Sequence, residues 1–179
     1  MPRSTASGLS AAAAVRVGHA VGRGDAPRAR RSAAAALACG AIFMLFAATF
    51  FLVLPRMLAR LYTRDPLVTG IAVRLLPIAG FFQVFDGLQV VAAGVLRGLG
   101  DTRVPMLISL LGFWLLGVPV SLLLAFGTGG GPGGLWWGFV TGLGSVAVLL
   151  LVRVRARLRR SLARVVIDAP EGAVRPESS

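Results

Sequence analysis

Four long apolar runs alternate with short arginine-rich stretches along the chain. Three of these runs contain no charged residue, and the second contains a single aspartate. Each run has about 18 to 23 residues, enough to cross the hydrocarbon core of a bilayer as a helix. The pattern therefore predicts an all-α integral membrane protein with four complete transmembrane helices and a partial helix before them. The predicted spans are about 33–54, 75–96, 104–126 and 135–152.

The second run contains Asp86 near its centre. A charged aspartate at the centre of a membrane helix costs roughly 2.5–3.5 kcal/mol on insertion scales. Such a residue usually faces the interior of a helix bundle or a water-filled cavity, where it binds ions or protons. At about 100° per residue, Gln83 and Gln89 lie roughly 60° to either side of Asp86. We expect these three side chains to form one polar face.

The rest of this helix has two further faces. Glycines at positions 80, 87 and 94 recur every seven residues and predict an edge that a neighbouring helix can approach closely. The side opposite Asp86 is apolar and suits lipid or another helix; its residues are Phe81, Phe85, Leu88 and Val95.

The segments outside the four runs are less apolar. In residues 1–31, Arg16 interrupts a stretch that is too short and too polar for a span. We interpret this segment as the inner end of a membrane helix, followed by a basic connector at residues 28–31. Arg56 to Arg64 form an amphipathic stretch suited to the membrane interface. Asp65 and Pro66 form a helix start, with aspartate as the N-cap. Residues 161–179 are polar and proline-rich, which predicts a disordered cytoplasmic tail.

Composition supports the membrane class and weakens others. The 179 residues are 56% hydrophobic with a mean hydropathy of +0.79, and the net charge is +12. All 19 of the lysine and arginine residues are arginines, and most of them flank the apolar runs, so membrane topology explains the charge better than nucleic acid does. Cys39 is the only cysteine, and neither a metal motif nor a nucleophile–base pair is visible, so we expect no enzyme and no cofactor.

Arginine counts predict the orientation. One side of the membrane receives twelve arginines and the other receives four, namely Arg56, Arg60, Arg64 and Arg74. The positive-inside rule then places both ends of the chain in the cytoplasm. The bias towards Ala, Gly, Leu, Val and Arg hints at a bacterium, which makes the bacterial inner membrane the expected location.

Four sequence blocks stand out along the chain: RVGHAVGRGD, FFQVFDGLQVVAAGVLRGLGDTRVP, FWLLGVPV and GGLWWGFVTG. Together they resemble the end of a multidrug and toxic compound extrusion (MATE) transporter. They occur in that family's order, with a plausible span length between them, and the resemblance covers residues 8 to about 155.

The resemblance implies a twelve-helix antiporter that exports amphipathic, often cationic compounds in exchange for Na⁺ or H⁺. It assigns Asp86 to the family's tenth-helix carboxylate, which couples transport to the cation, and Gln83 and Gln89 to flanking polar positions that face cation or substrate. Beyond Asp86 it implies no metal site. The family's connector between the tenth and eleventh helices matches a turn that we interpret as structural; the matching residues are Arg97, Gly98, Asp101 and Pro105.

The sequence departs from the family pattern in one respect: the N-terminal bundle and the seventh helix are missing. Four and a half helices cannot enclose the family's central cavity, so we expect either a fragment or a chain that needs a partner. Besides membrane lipid and drug-like substrates, the missing bundle or a partner chain is thus an expected partner. The alternatives are a flippase-like relative that moves a lipid-linked precursor, a non-transporting membrane subunit, or an inactive fragment.

Overall fold

The computed structural model of the chain describes residues 5–159, and the predicted tail at 161–179 lies outside this range. The described residues form six helices. Their bounds are α1 (Thr5–Gly22), α2 (Ala26–Val53), α3 (Pro55–Tyr62), α4 (Pro66–Gly98), α5 (Arg103–Gly127) and α6 (Gly131–Arg159).

Four of the helices are long and apolar enough to cross a membrane. Helices α2, α4, α5 and α6 have 28, 33, 25 and 29 residues, and a helix needs about 20 to span the hydrocarbon core. The predicted class, an all-α membrane protein with four spans, is confirmed. Each helix extends beyond its predicted apolar run, except that Leu54 follows the end of α2.

Helix α4 is the centre of the bundle. It packs against α1 and α2 on one side and against α6 on the other, while α5 packs mainly on α6. The buried core lies where α1, α2, α4 and α6 meet. Its most buried large side chains are Val17, Val91, Val95, Leu96, Val146 and Leu150.

The glycine edge of α4 is where α1 and α2 approach, as the seven-residue repeat predicts. Gly80 and Gly87 face Phe51 and Met44 of α2, and a Cβ built on Gly80 would lie 3.2 Å from Cβ of Phe51. Gly94 faces α1, where a Cβ would lie 2.5 Å from the carbonyl oxygen of Ser10. Any side chain here would therefore displace a neighbouring helix.

The basic connector predicted at residues 28–31 is instead the first turn of α2. Asp25 caps this helix, because its Oδ1 accepts a hydrogen bond from the Arg28 N–H at 2.9 Å. Pro27 falls in the first turn, where a missing N–H costs nothing. Arginine and alanine are both good helix formers, so these residues continue the helix rather than interrupting it. The turn before it contains Gly24 at a φ of 70°.

The start of α4 has the predicted cap. Oδ1 of Asp65 accepts hydrogen bonds from the N–H groups of Leu67 at 2.8 Å and Val68 at 3.4 Å. Two of the helix's first N–H groups thereby gain partners that the helix itself cannot supply. The short helix α3 precedes this cap and packs against α4.

Helix α5 contains two wide turns of π-helical geometry, Gly112–Gly117 and Leu123–Gly127. In the first, the N–H of Val118 donates to the carbonyl of Phe113, five residues back. Pro119 follows at once and has no N–H to donate, so the hydrogen-bond register changes beside it. Pro119 is visible in the sequence, but the change of hydrogen-bond register beside it is not.

Candidate functional site

The predicted polar face of α4 is open in the structure. Asp86 is exposed and makes no hydrogen bond or ion pair with any residue in 5–159. Gln83 and Gln89 are half-buried on either side of it. On the apolar side of α4, the ring of Phe81 lies 6.1 Å from that of Trp137 in α6, while Val95 is fully buried in the core. Thus α4 directs its carboxylate away from the described helices.

Gln89 contains an unpaired buried atom. Its Oε1 has almost no exposed surface and no hydrogen-bond partner among the described residues. A buried amide oxygen without a partner costs about 1–3 kcal/mol, which makes such atoms uncommon in folded proteins. This oxygen is therefore available to accept a hydrogen bond or to contact a cation.

A cleft of about 300 Å³ continues the polar face of α4 towards the connector. It lies between the last turns of α4 and the first turns of α5. The cleft brings together three of the sequence-predicted residues, Gln89, Arg97 and Pro105, while Asp86 and Gln83 are not among its lining residues. Thr102, which precedes α5, and Ser109 within α5 add hydroxyl groups to its wall.

Arg97 joins this cleft to helix α1. Its Nη2 donates to Oγ of Ser10 at 2.8 Å, and that hydroxyl donates to the carbonyl of Val90 at 2.8 Å. Ser10 is only 1% exposed. The network holds the guanidinium at one end of the cleft and fixes α1 against α4. Sequence reasoning did not identify Ser10, which is separated from Arg97 by 87 positions.

The connector between α4 and α5 is closed by ion pairs. Asp101 is 7% exposed, and its Oδ2 accepts from Nε and Nη2 of Arg153, both at 2.9 Å. Arg157 adds its Nε at 3.4 Å. In the sequence analysis, these arginines were used only to predict the orientation in the membrane. Their spacing of four residues, which places them on one face of α6, was the available signal.

The turn itself explains the other connector residues. Gly100 has a φ of 74°, and the N–H of Asp101 donates to the carbonyl of Leu96 at 2.9 Å. A left-handed glycine after a helix is a common way to end it. Gly98 lies so close to α1 that a Cβ would fall 2.7 Å from the carbonyl oxygen of Ala14. Pro105 is buried at the start of α5.

No group of three or more His, Cys, Asp or Glu side chains that could hold a metal ion occurs within the described residues. The site is thus one carboxylate on an apolar helix, with two amides beside it. A cation at Asp86 would need its remaining oxygen ligands from amides, hydroxyls, carbonyls or water.

The fold and this site define a class: a multi-pass helical membrane protein with a carboxylate inside one of its spans, as in transporters. Comparison with known proteins gives the family. The MatE family model matches residues 4–123. The chain therefore belongs to the MATE family, and its resemblance to that family is confirmed.

Relatives within the family are multidrug resistance proteins. The chain is 43% identical over 156 residues to the probable multidrug resistance protein NorM of Brucella suis, covering 84% of this chain and 33% of that protein. It is 44% identical over 164 residues to the NorM of Rhodopseudomonas palustris, covering 89% and 34%. The chain thus spans about a third of the length of these relatives.

Solved structures agree on the fold. The eukaryotic MATE transporter AtDTX14 superposes with a TM-score of 0.77 at 25% identity, over 88% of this chain and 36% of that one. An inward-facing MATE family transporter superposes with a TM-score of 0.75 at 18% identity, over 83% and 34%. The six helices therefore have the arrangement found in about a third of a MATE transporter.

Proposed function

We propose that this chain forms the C-terminal part of a secondary active multidrug efflux antiporter in the bacterial inner membrane. It acts in transport rather than in enzymatic catalysis, and it exchanges Na⁺ or H⁺ for amphipathic, often cationic compounds. The observation that carries the proposal is Asp86, a carboxylate in the middle of a span, exposed and without a partner among residues 5–159.

Asp86 is the coupling group in this mechanism. An uncompensated carboxylate inside a membrane span is costly, and binding H⁺ or Na⁺ neutralises it. The cation thereby favours whichever arrangement of the helices buries Asp86, and its release favours the other. Gln83 and Gln89 supply amide oxygens to the cation or hydrogen bonds to the substrate. The unpaired Oε1 of Gln89 supports this assignment.

Transport also requires helices that cover the open face of α4. Large apolar side chains of the spans are exposed in the chain, including Phe46, Trp114 and Phe126 at 62–79%. Since the relatives are about three times as long, we propose that a further helical bundle, in the same polypeptide or in a partner chain, encloses a cavity against Asp86. Both ends of this chain then lie in the cytoplasm.

A chimera tests the proposal. The chain replaces the matching third of the Brucella suis relative, and dye efflux is measured in proteoliposomes under an imposed H⁺ or Na⁺ gradient. We expect gradient-driven efflux of a cationic dye such as ethidium. We expect Asp86→Asn to abolish this efflux, because asparagine can neither ionise nor balance a cation's charge, while Asp86→Glu keeps part of it.

Asp65→Asn is the matched control, since it also removes one carboxylate from α4 but at an exposed helix cap that asparagine can replace. Its efflux should equal that of the unaltered chimera. If Asp86→Asn leaves both efflux and assembly unchanged, the mechanism of coupling through Asp86 is wrong for this chain. A chimera that assembles but shows no efflux would instead favour a non-transporting membrane subunit.

A further inference from the structure

Two adjoining clefts lie at the opposite end of α4 from the connector, where α3 packs on it. One has a volume of about 720 Å³ and is lined by Arg56, Arg60, Arg64 and Arg74 together with hydroxyl groups. The other has a volume of about 650 Å³ and is mainly apolar, and the two share Arg56, Arg60 and Val73. Together they form one surface with a basic half and an apolar half.

Among the described residues, the four arginines have no acidic partner. Within residues 5–159, the ion pairs all involve Asp101 at the far end of the bundle. The nearest carboxylate along the chain, Asp65, uses Oδ1 to cap α4. Four guanidinium groups therefore converge on an open cleft with their charge unbalanced. Membrane orientation does not explain them, because they lie on the side that the arginine count assigns to the outside of the cell.

The apolar half lies directly beside these charges. Its wall includes Leu52 and Val53 from the last turn of α2 and Met57 and Leu61 from α3. Met57 and Leu61 are 60% and 70% exposed. These positions are where the apolar run of α2 ends, which is the level of the lipid headgroups. An amphiphile with an anionic head and an apolar chain complements both halves at once.

We propose that these two clefts bind an anionic phospholipid of the surrounding membrane, with its phosphate against the arginines and an acyl chain against the apolar wall. Guanidinium groups bind phosphate through paired hydrogen bonds. On the cytoplasmic side of membranes, basic pockets between helices hold anionic headgroups. The same guanidinium chemistry is present at this opposite end of the bundle, and each arginine adds to the binding. The site is independent of Asp86 and of transport.

The test is lipid binding by the purified chain in detergent, followed by native mass spectrometry. The probes are dioleoyl phosphatidylglycerol and dioleoyl phosphatidylcholine, which have the same acyl chains. We expect preferential retention of phosphatidylglycerol. Arg60→Gln should lower its affinity about fivefold, and Arg60→Gln with Arg64→Gln about thirtyfold, because each basic side chain near an anionic lipid contributes about 1 kcal/mol.

The matched control removes two exposed arginines elsewhere, by Arg103→Gln with Arg155→Gln. This double variant should bind phosphatidylglycerol as the unaltered chain does. If both double variants lose the same amount of phosphatidylglycerol affinity, the binding is general charge attraction, and the proposal is overturned. Because Arg60 and Arg64 are exposed, the helical content of the Arg60→Gln, Arg64→Gln variant should be unchanged by circular dichroism. Arg56→Gln with Arg74→Gln repeats the binding test on the other two arginines of the cleft.

Inorganic phosphate and Leu61→Asn separate a lipid from a free anion. If a lipid is bound, Leu61→Asn weakens phosphatidylglycerol binding, and inorganic phosphate at the same concentration does not displace the lipid. Displacement by phosphate, with no effect of Leu61→Asn, would identify an anion site without a lipid. Failure to prefer phosphatidylglycerol over phosphatidylcholine would also overturn the proposal.

Discussion

The two sides of α4 show how one helix serves stability and transport with different residue types. Its closed side consists of glycines that admit α1 and α2 to within contact distance of the backbone. Its open side presents Asp86, which forms no hydrogen bond or ion pair with a described residue. A substitution on the closed side changes the position of a neighbouring helix, whereas one on the open side changes only the helix surface. The two sides can therefore be separated by experiment.

Gly94→Ala should have the largest effect on stability. The added Cβ would lie 2.5 Å from both the carbonyl oxygen and Oγ of Ser10, so α1 must move. Overpacking of this kind costs about 3 kcal/mol. Titration with sodium dodecyl sulfate measures the free energy of unfolding. Gly70→Ala, in the same helix but facing open space, is the control and should be stabilising by up to about 1 kcal/mol.

Asp101→Asn should have an intermediate effect on stability, because Asp101 joins the connector after α4 to two arginines of α6. It leaves Arg153 and Arg157 without their carboxylate. Breaking a fully buried pair costs about 3–5 kcal/mol, but these arginine side chains are 33% and 35% exposed. We expect a loss of about 2 kcal/mol in the same titration.

Asp25→Asn serves as its control, since asparagine caps a helix as well as aspartate does. A loss at Asp101 no greater than that at Asp25 would show that the ion pairs with α6 contribute nothing.

Asp86→Asn should have the smallest effect on stability. The side chain forms no hydrogen bond or ion pair with a described residue, so its replacement breaks no contact of the fold, and it removes a carboxylate that is costly inside a span. We therefore expect the midpoint of the titration to fall by no more than the equivalent of about 0.5 kcal/mol. A loss as large as that of Asp101→Asn would show that the open side also supports the fold.

The parts of the fold that were predictable depend on local patterns. Continuous apolar runs identify the four spans, Asp65 before Pro66 identifies the start of α4, and the glycine repeat identifies its closed edge. Each of these signals lies within a single helix or its cap. The prediction that the arginines at 28–31 form a connector is wrong. It rests on their charge alone, although Asp25 is available to cap a helix there.

The parts that were not predictable depend on pairs of residues far apart in the chain. Ser10 meets Arg97 across 87 positions, and Asp101 meets Arg153 across 52. Hydropathy gives no information on which helices become neighbours, so it cannot identify such partners. For the candidate site, the sequence indicated Asp86 and its two amides, but not the cleft that joins Gln89 to α5 or the basic cleft beside α3.

One contact near the chain's ends bears on the order of events during synthesis. Nε of Arg30, in the first turn of α2, donates to the carbonyl of Leu158 in the last turn of α6 at 2.8 Å. These residues are 128 positions apart. Three spans are synthesised before Leu158 is added to the chain. Until then, Arg30 lacks the carbonyl of Leu158 as its hydrogen-bond acceptor. The described helices thus reach this packing only after the fourth span has been translated.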